Sequence, residues 1–152
     1  MLKTLLERLK GKVVILGMGN TLRSDDGAGS VLANRLKDKL AFTVWDVGVA
    51  AENYLEKIIQ YKPDTVIIID AADFGGRAGE FRILEADDLK TINFFSTHNA
   101  SISLLINYLQ SNLNLDIMLL IIQPKSIVLG DKLSPEVDKT LTILEDWSYA
   151  HG

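Results

Sequence analysis

No cysteine occurs among the 152 residues. That excludes disulfides, thiolate metal sites and a cysteine nucleophile together. Histidine occurs twice, as His98 and His151, so any imidazole chemistry must use one of these. Positive charge is also scarce. Sixteen Lys and Arg stand against twenty Asp and Glu, a net charge of −4, and there is no basic run. A nucleic acid partner is therefore not expected. Long apolar runs are missing too. "TVIIIDAA" is far too short to span a bilayer, so no membrane insertion is expected. Residues 1–12, "MLKTLLERLKGK", scatter charges among leucines and lack the compact apolar centre of a signal peptide. A soluble, cytoplasmic protein is expected.

What is present is ordinary globular composition, 47% hydrophobic and 24% charged, in a length that suits one domain. Short apolar runs alternate with helical patterns. "VVILGM" (13–18), "FTVWDV" (42–47), "TVIIID" (65–70) and "IMLLIIQ" (117–123) have the continuous apolar character of buried strands. Ala28, Val31, Leu32, Leu36 and Leu40 recur at helical spacing, as do Leu55, Ile58 and Ile59. Ile102, Leu105, Ile106 and Leu109 predict a helix over 99–111. Ser134 and Pro135 supply the cap and first turn of another. "GEFRILEA" (79–86) alternates, with Phe81, Ile83 and Ala86 inward, and predicts an edge or antiparallel strand. Residues 1–12 predict an amphipathic helix that covers the domain or meets a partner. The sum is a three-layer α/β/α domain around a mostly parallel twisted sheet, in one unit over 1–152.

In such sheets ligands bind beyond the carboxyl ends of the strands. The loop after the first strand is "GMGNTLRSDDGAG" (17–29). It resembles a nucleotide loop, but Leu22 stands where a third glycine is needed, and no Walker lysine follows. Asp25 and Asp26 would also repel a phosphate. One acid is accounted for as a cap of the next helix. The other is left over. Asp70 ends the "TVIIID" strand on the same rim, and Asp73 follows it. His98 lies in a loop, "FFSTHNASISLL", whereas His151 is penultimate and predicts a frayed end without function. One imidazole and two carboxylates suit an open site for a divalent transition metal such as nickel or zinc.

"GMGNTLRSDDGAG", "VIIIDAADFG", "GEFRI", "STHN" and "IIQP" together resemble the hydrogenase maturation endopeptidases, in the same order and spacing. The likeness runs from about residue 13 to 147. It is nearest to the branch serving hydrogenases of formate hydrogenlyase-type complexes. The resemblance implies an aspartic-type, nickel-dependent peptide hydrolase. Its partner would be the hydrogenase large-subunit precursor, from which it removes a C-terminal peptide after nickel insertion. Asp26, Asp70 and His98 match the family's metal-binding and catalytic positions. The nickel would arrive on the precursor. The isolated protein would be metal-free or hold a surrogate divalent ion. Asp25 would then be a cap or loop stabiliser, and Asp73 either supports the site or is structural. One departure is "DVGVA": Val47 replaces the first of a glycine pair linked to substrate choice, while Gly48 is kept.

Other readings are a metal-dependent chaperone that binds the precursor without cutting it, and a nucleotide binder. A generic zinc metalloprotease lacks its H-E-x-x-H pair here. Ser96 and Ser101 flank His98, but nothing in the sequence marks either as an activated nucleophile.

Overall fold

The computed structural model describes residues 1–152. Five strands form one sheet: β1 (Val13–Met18), β2 (Thr43–Gly48), β3 (Thr65–Ala71), β4 (Phe81–Glu85) and β5 (Asp116–Ile122). Their spatial order is β2-β1-β3-β5-β4. Every pairing is parallel except β4 with β5. The antiparallel edge predicted over 79–86 is thus β4.

Parallel strands need crossover connections, and the helices provide them. α1 (Leu2–Arg8), α2 (Ala28–Leu36) and α5 (Pro135–His151) cover one face, and α3 (Leu55–Tyr61) and α4 (Asn99–Asn112) the other. β1 and β3 are buried along their whole length because both faces are covered. Odd-numbered β3 residues, Ile67 and Ile69, pack toward α2 and α5; even-numbered Val66 and Ile68 pack toward α3 and α4. The same alternation corrects the expectation for β4. Phe81 and Ile83 face the α5 side, whereas Leu84, the most buried residue of the strand, and Ala86 face the α4 side. An edge strand in this sheet is covered on both faces, so it has no single inward set.

The glycines of the first loop serve packing. A Cβ on Gly17 in β1 would fall on the Gly29 carbonyl and on Ala33 of α2. A Cβ on Gly29 would fall on the carbonyl oxygens of Met18 and Ile69. Bare backbone at both positions lets α2 begin directly against the ends of β1 and β3. That close approach brings the preceding turn, Ser24–Gly27, onto the rim. α2 stops at Leu36, four residues short of its apolar pattern. Asp38 takes a positive φ of 62°, and Leu40 packs on the core from the turn instead.

α1 covers the domain. Leu5 is buried, Leu2 and Leu9 pack beside it, and Arg8 pairs with Asp116 at 2.8 Å and with Glu85. No helix is long and apolar enough to cross a membrane. His151 is not frayed. It closes α5, stacked on Trp147 with Nδ1 2.9 Å from the Trp147 carbonyl.

Candidate active site

Three loops meet at the carboxyl ends of β1, β3 and β5. Asp26 comes from the turn before α2, Asp70 from the end of β3, and His98 from the residue before α4. All three are buried. His98 Nδ1 lies 3.1 Å from Asp70 Oδ1, and His98 Nε2 lies 3.9 Å from Asp26 Oδ2. The sheet therefore brings together the residues singled out from the sequence, across a separation of 72 positions in the chain.

Their polar atoms are unequally occupied. Asp70 Oδ2 accepts a hydrogen bond from the Ser96 hydroxyl, and its other oxygen faces the imidazole. Ser96 Oγ in turn accepts the His98 backbone N–H at 3.0 Å. Asp26 Oδ1 accepts from Thr97 Oγ1 at 2.8 Å. Asp26 Oδ2 is buried without any hydrogen-bond partner. The trio is thus not a ready-made three-ligand cage, because both Asp70 oxygens are already engaged. Ser96 does not serve His98 as a nucleophile, since its hydroxyl proton goes to Asp70.

Burial raises the pKa of Asp70 above the ordinary carboxylate value, and the contacts with His98 and Ser96 offset this only in part. His98 is also shifted upward. Burial opposes its charged form, but the Asp70 hydrogen bond and the charges of Asp70 and Asp26 outweigh it. The site therefore retains protons to higher pH than its separate groups would.

Asp25 turns the other way. It does not cap α2, whose N-cap is Gly27 without a side-chain bond. Fully buried, it accepts from Lys125 N at 2.8 Å, Ser126 N at 3.3 Å, Ser134 N at 2.7 Å and Ser134 Oγ at 2.8 Å. It ties the 124–134 segment and the start of α5 to the first loop. Asp73 is exposed, accepts from Gly75 N at 2.9 Å and Gln123 Nε2 at 3.0 Å, and shapes the turn after β3. Val47 lies in the core, and Gly48 holds a positive φ of 56°.

A cleft of about 190 Å³ opens beside Asp26, lined by Phe95, Thr97, Gln123, Pro124 and Ile127 among others. A larger hollow of about 470 Å³ lies along β2, between Lys37, Trp45 and Lys57, and contains none of the trio. Sequence reasoning missed Thr97 and Gln123. Gln123 directly follows β5 on the same rim as Asp70, so the strand-end rule could have found it.

Fold and rim define an α/β protein with a carboxylate–imidazole cluster at the carboxyl edge of a parallel sheet. Residues 28–146 match the family model described as HycI, hydrogenase maturation protease. The matched span includes Asp70 and His98, and Asp26 lies just before it. The hydrogenase 3 maturation protease of Escherichia coli is 32% identical over 140 residues, covering 88% of this chain and 89% of that protein. The crystal structure of the nickel–iron hydrogenase maturation protease HycI from Thermococcus kodakarensis is 30% identical, with a TM-score of 0.81 and 97% of each chain covered. The solution structure of the endopeptidase HycI from Escherichia coli gives 28% and 0.80, over 92% of this chain and 90% of that one. The chain belongs to the hydrogenase maturation proteases, and it is a peptide hydrolase.

Proposed function

We propose that this chain removes a C-terminal peptide from the large-subunit precursor of a nickel–iron hydrogenase, and that Asp26, Asp70 and His98 recognise the nickel carried by that precursor. The observation that carries this reading is Asp26 Oδ2, a buried carboxylate oxygen with no donor, 3.9 Å from His98 Nε2. Leaving such a group unpaired costs on the order of 1–3 kcal/mol or more. A divalent ion arriving with the substrate would satisfy it. Two bonds of about 2.0–2.2 Å, typical of nitrogen and oxygen on a divalent metal, span the gap.

Asp70 holds the His98 ring through Nδ1, which leaves Nε2 to face the metal. For Asp70 to join as a third ligand, one oxygen must turn away from the imidazole. The nickel would act as a template for the scissile segment and polarise its carbonyl. Isolated protein would hold zinc or cadmium weakly in the same place.

The test is mass spectrometry of nickel-loaded and nickel-free precursor after incubation with the protein. The expected result is a shortened product from the loaded precursor alone. Binding without shortening would favour a chaperone instead.

A further inference from the structure

The rim displays apolar side chains that the core does not need. Leu22, Val128 and Leu129 are 67%, 66% and 78% exposed. Their backbone segments are bonded to each other although about a hundred residues separate Leu22 from Val128 and Leu129. Gly130 N donates to the Leu22 carbonyl at 2.9 Å, Ser24 N to the Gly130 carbonyl at 2.8 Å, and Ser24 Oγ to the Val128 carbonyl at 2.8 Å. Asp25 continues the fastening inward, through its own N–H to the Ser126 carbonyl and through its carboxylate to Lys125, Ser126 and Ser134. These bonds fasten the backbone of the shelf on which Leu22, Val128 and Leu129 stand exposed.

The shelf is continuous with the candidate site. Ile127, the residue before Val128, lines the cleft that holds Asp26; Phe95, 60% exposed, forms another part of its wall.

We infer that Leu22, Val128 and Leu129 form a docking ridge for an apolar surface of the precursor bordering its metal site. This rests on the function proposed above. A peptidase that acts on a protein must meet that partner at the rim, and Ile127, which lines the cleft beside Asp26, leads directly into Val128 and Leu129 of the ridge. The three side chains carry no charge, so the surface they fit is apolar. Because the backbone beneath them is already fastened, little ordering cost is incurred on binding. A small group of such anchors often dominates an interface.

The test uses the full chain and nickel-loaded precursor. The variants are Leu22→Ser and the double Val128→Ser/Leu129→Ser. The control is Ile143→Ser, at an exposed position midway along α5. The double variant is expected to raise KM at least about tenfold with kcat within about twofold and an unchanged melt. Leu22→Ser should move KM the same way by less, and the control should not move it. An unchanged KM in the double variant, with active wild type, overturns the ridge. So does a wild-type dimer in sedimentation that the double variant dissociates while KM stays put, because a second copy would then be the occupant. If wild type fails to cut loaded precursor, the function reading falls, and a binding titration of the precursor then decides the ridge. Equal affinity, or no binding, for wild type and double variant would overturn it; weaker binding by the variant would support it.

Discussion

Replacing Asp25 with Asn changes one atom of the first loop and should cost far more than its size suggests. The native carboxylate serves four donors. Three converge on Oδ2, from Lys125, Ser126 and the Ser134 hydroxyl, and one, Ser134 N, approaches Oδ1 at 2.7 Å. An amide has only one oxygen. In its better orientation that oxygen keeps the three donors, and the NH₂ then faces the Ser134 N–H, donor against donor. One buried N–H left without an acceptor costs about 1–3 kcal/mol. The three remaining bonds lose their charge assistance, worth roughly 1 kcal/mol each. Removing a buried charge returns some of this. The net loss should be about 2–4 kcal/mol, a large part of the roughly 5–15 kcal/mol that holds a domain together. For a chain of this size it corresponds to a melting temperature lower by about 5–15 °C. A thermal melt followed by circular dichroism measures it. A melt within about 2 °C of wild type would refute the assignment of Asp25 as the fastening of the 124–134 segment. This outcome differs from a cap role, in which Asn substitutes at little cost.

Asp26→Asn should behave in the opposite manner, because its Oδ2 has no donor to lose: the melt should hold or rise, while cleavage of nickel-loaded precursor is lost, and full activity would contradict the proposed site. Gly29→Ala should unfold or badly destabilise the protein, by about 3 kcal/mol or more, since the new methyl meets two backbone carbonyls that cannot move aside; a denaturant titration with near-wild-type midpoint would refute the close-packing account. The pH dependence should also be asymmetric. The pKa of His98 is raised in the fold, so its contribution to stability is fully present below the ordinary value of 6.5 and is lost as pH rises through the raised one. Metal capture needs the deprotonated Nε2 and runs the other way, so cleavage should climb through a midpoint above 6.5, and a flat profile across about pH 6–9 would refute the link.

The strands were legible in the sequence because they are short, β-branched and covered on both faces, as "TVIIID" illustrates. Helix ends were less so. The pattern Leu55, Ile58 and Ile59 was visible, but not the tighter turn at Ala51–Tyr54 that precedes α3. Leu40 kept the helical period although the helix had ended, because a turn can deliver an apolar side chain to the same core. At the rim, strand-end position placed Asp70 beside the adjacent acids Asp25 and Asp26, while the choice of Asp26 and the weight given to the loop residue His98 came from the resemblance to the maturation endopeptidases. Which atoms are engaged was not readable. That depends on Ser96 and Thr97, whose hydroxyls reach back to carboxylates 26 and 71 positions away. The division of labour between Asp25 and Asp26 was hidden for the same reason, since nothing local tells which of two adjacent acids turns inward to the 124–134 segment.

The bond between Asp25 and Ser134 spans 109 residues. During synthesis the loop that carries Asp26 is made about a hundred residues ahead of the segment that fastens it. Until Lys125 and Ser126 have left the ribosome Asp25 has none of these partners, and until Ser134 follows it lacks two of its four donors. Contacts of such long separation are slow to form and late to be rewarded. The emerging chain therefore lacks a finished rim until residues 125–134 have been delivered, about a hundred residues after the loop they fasten.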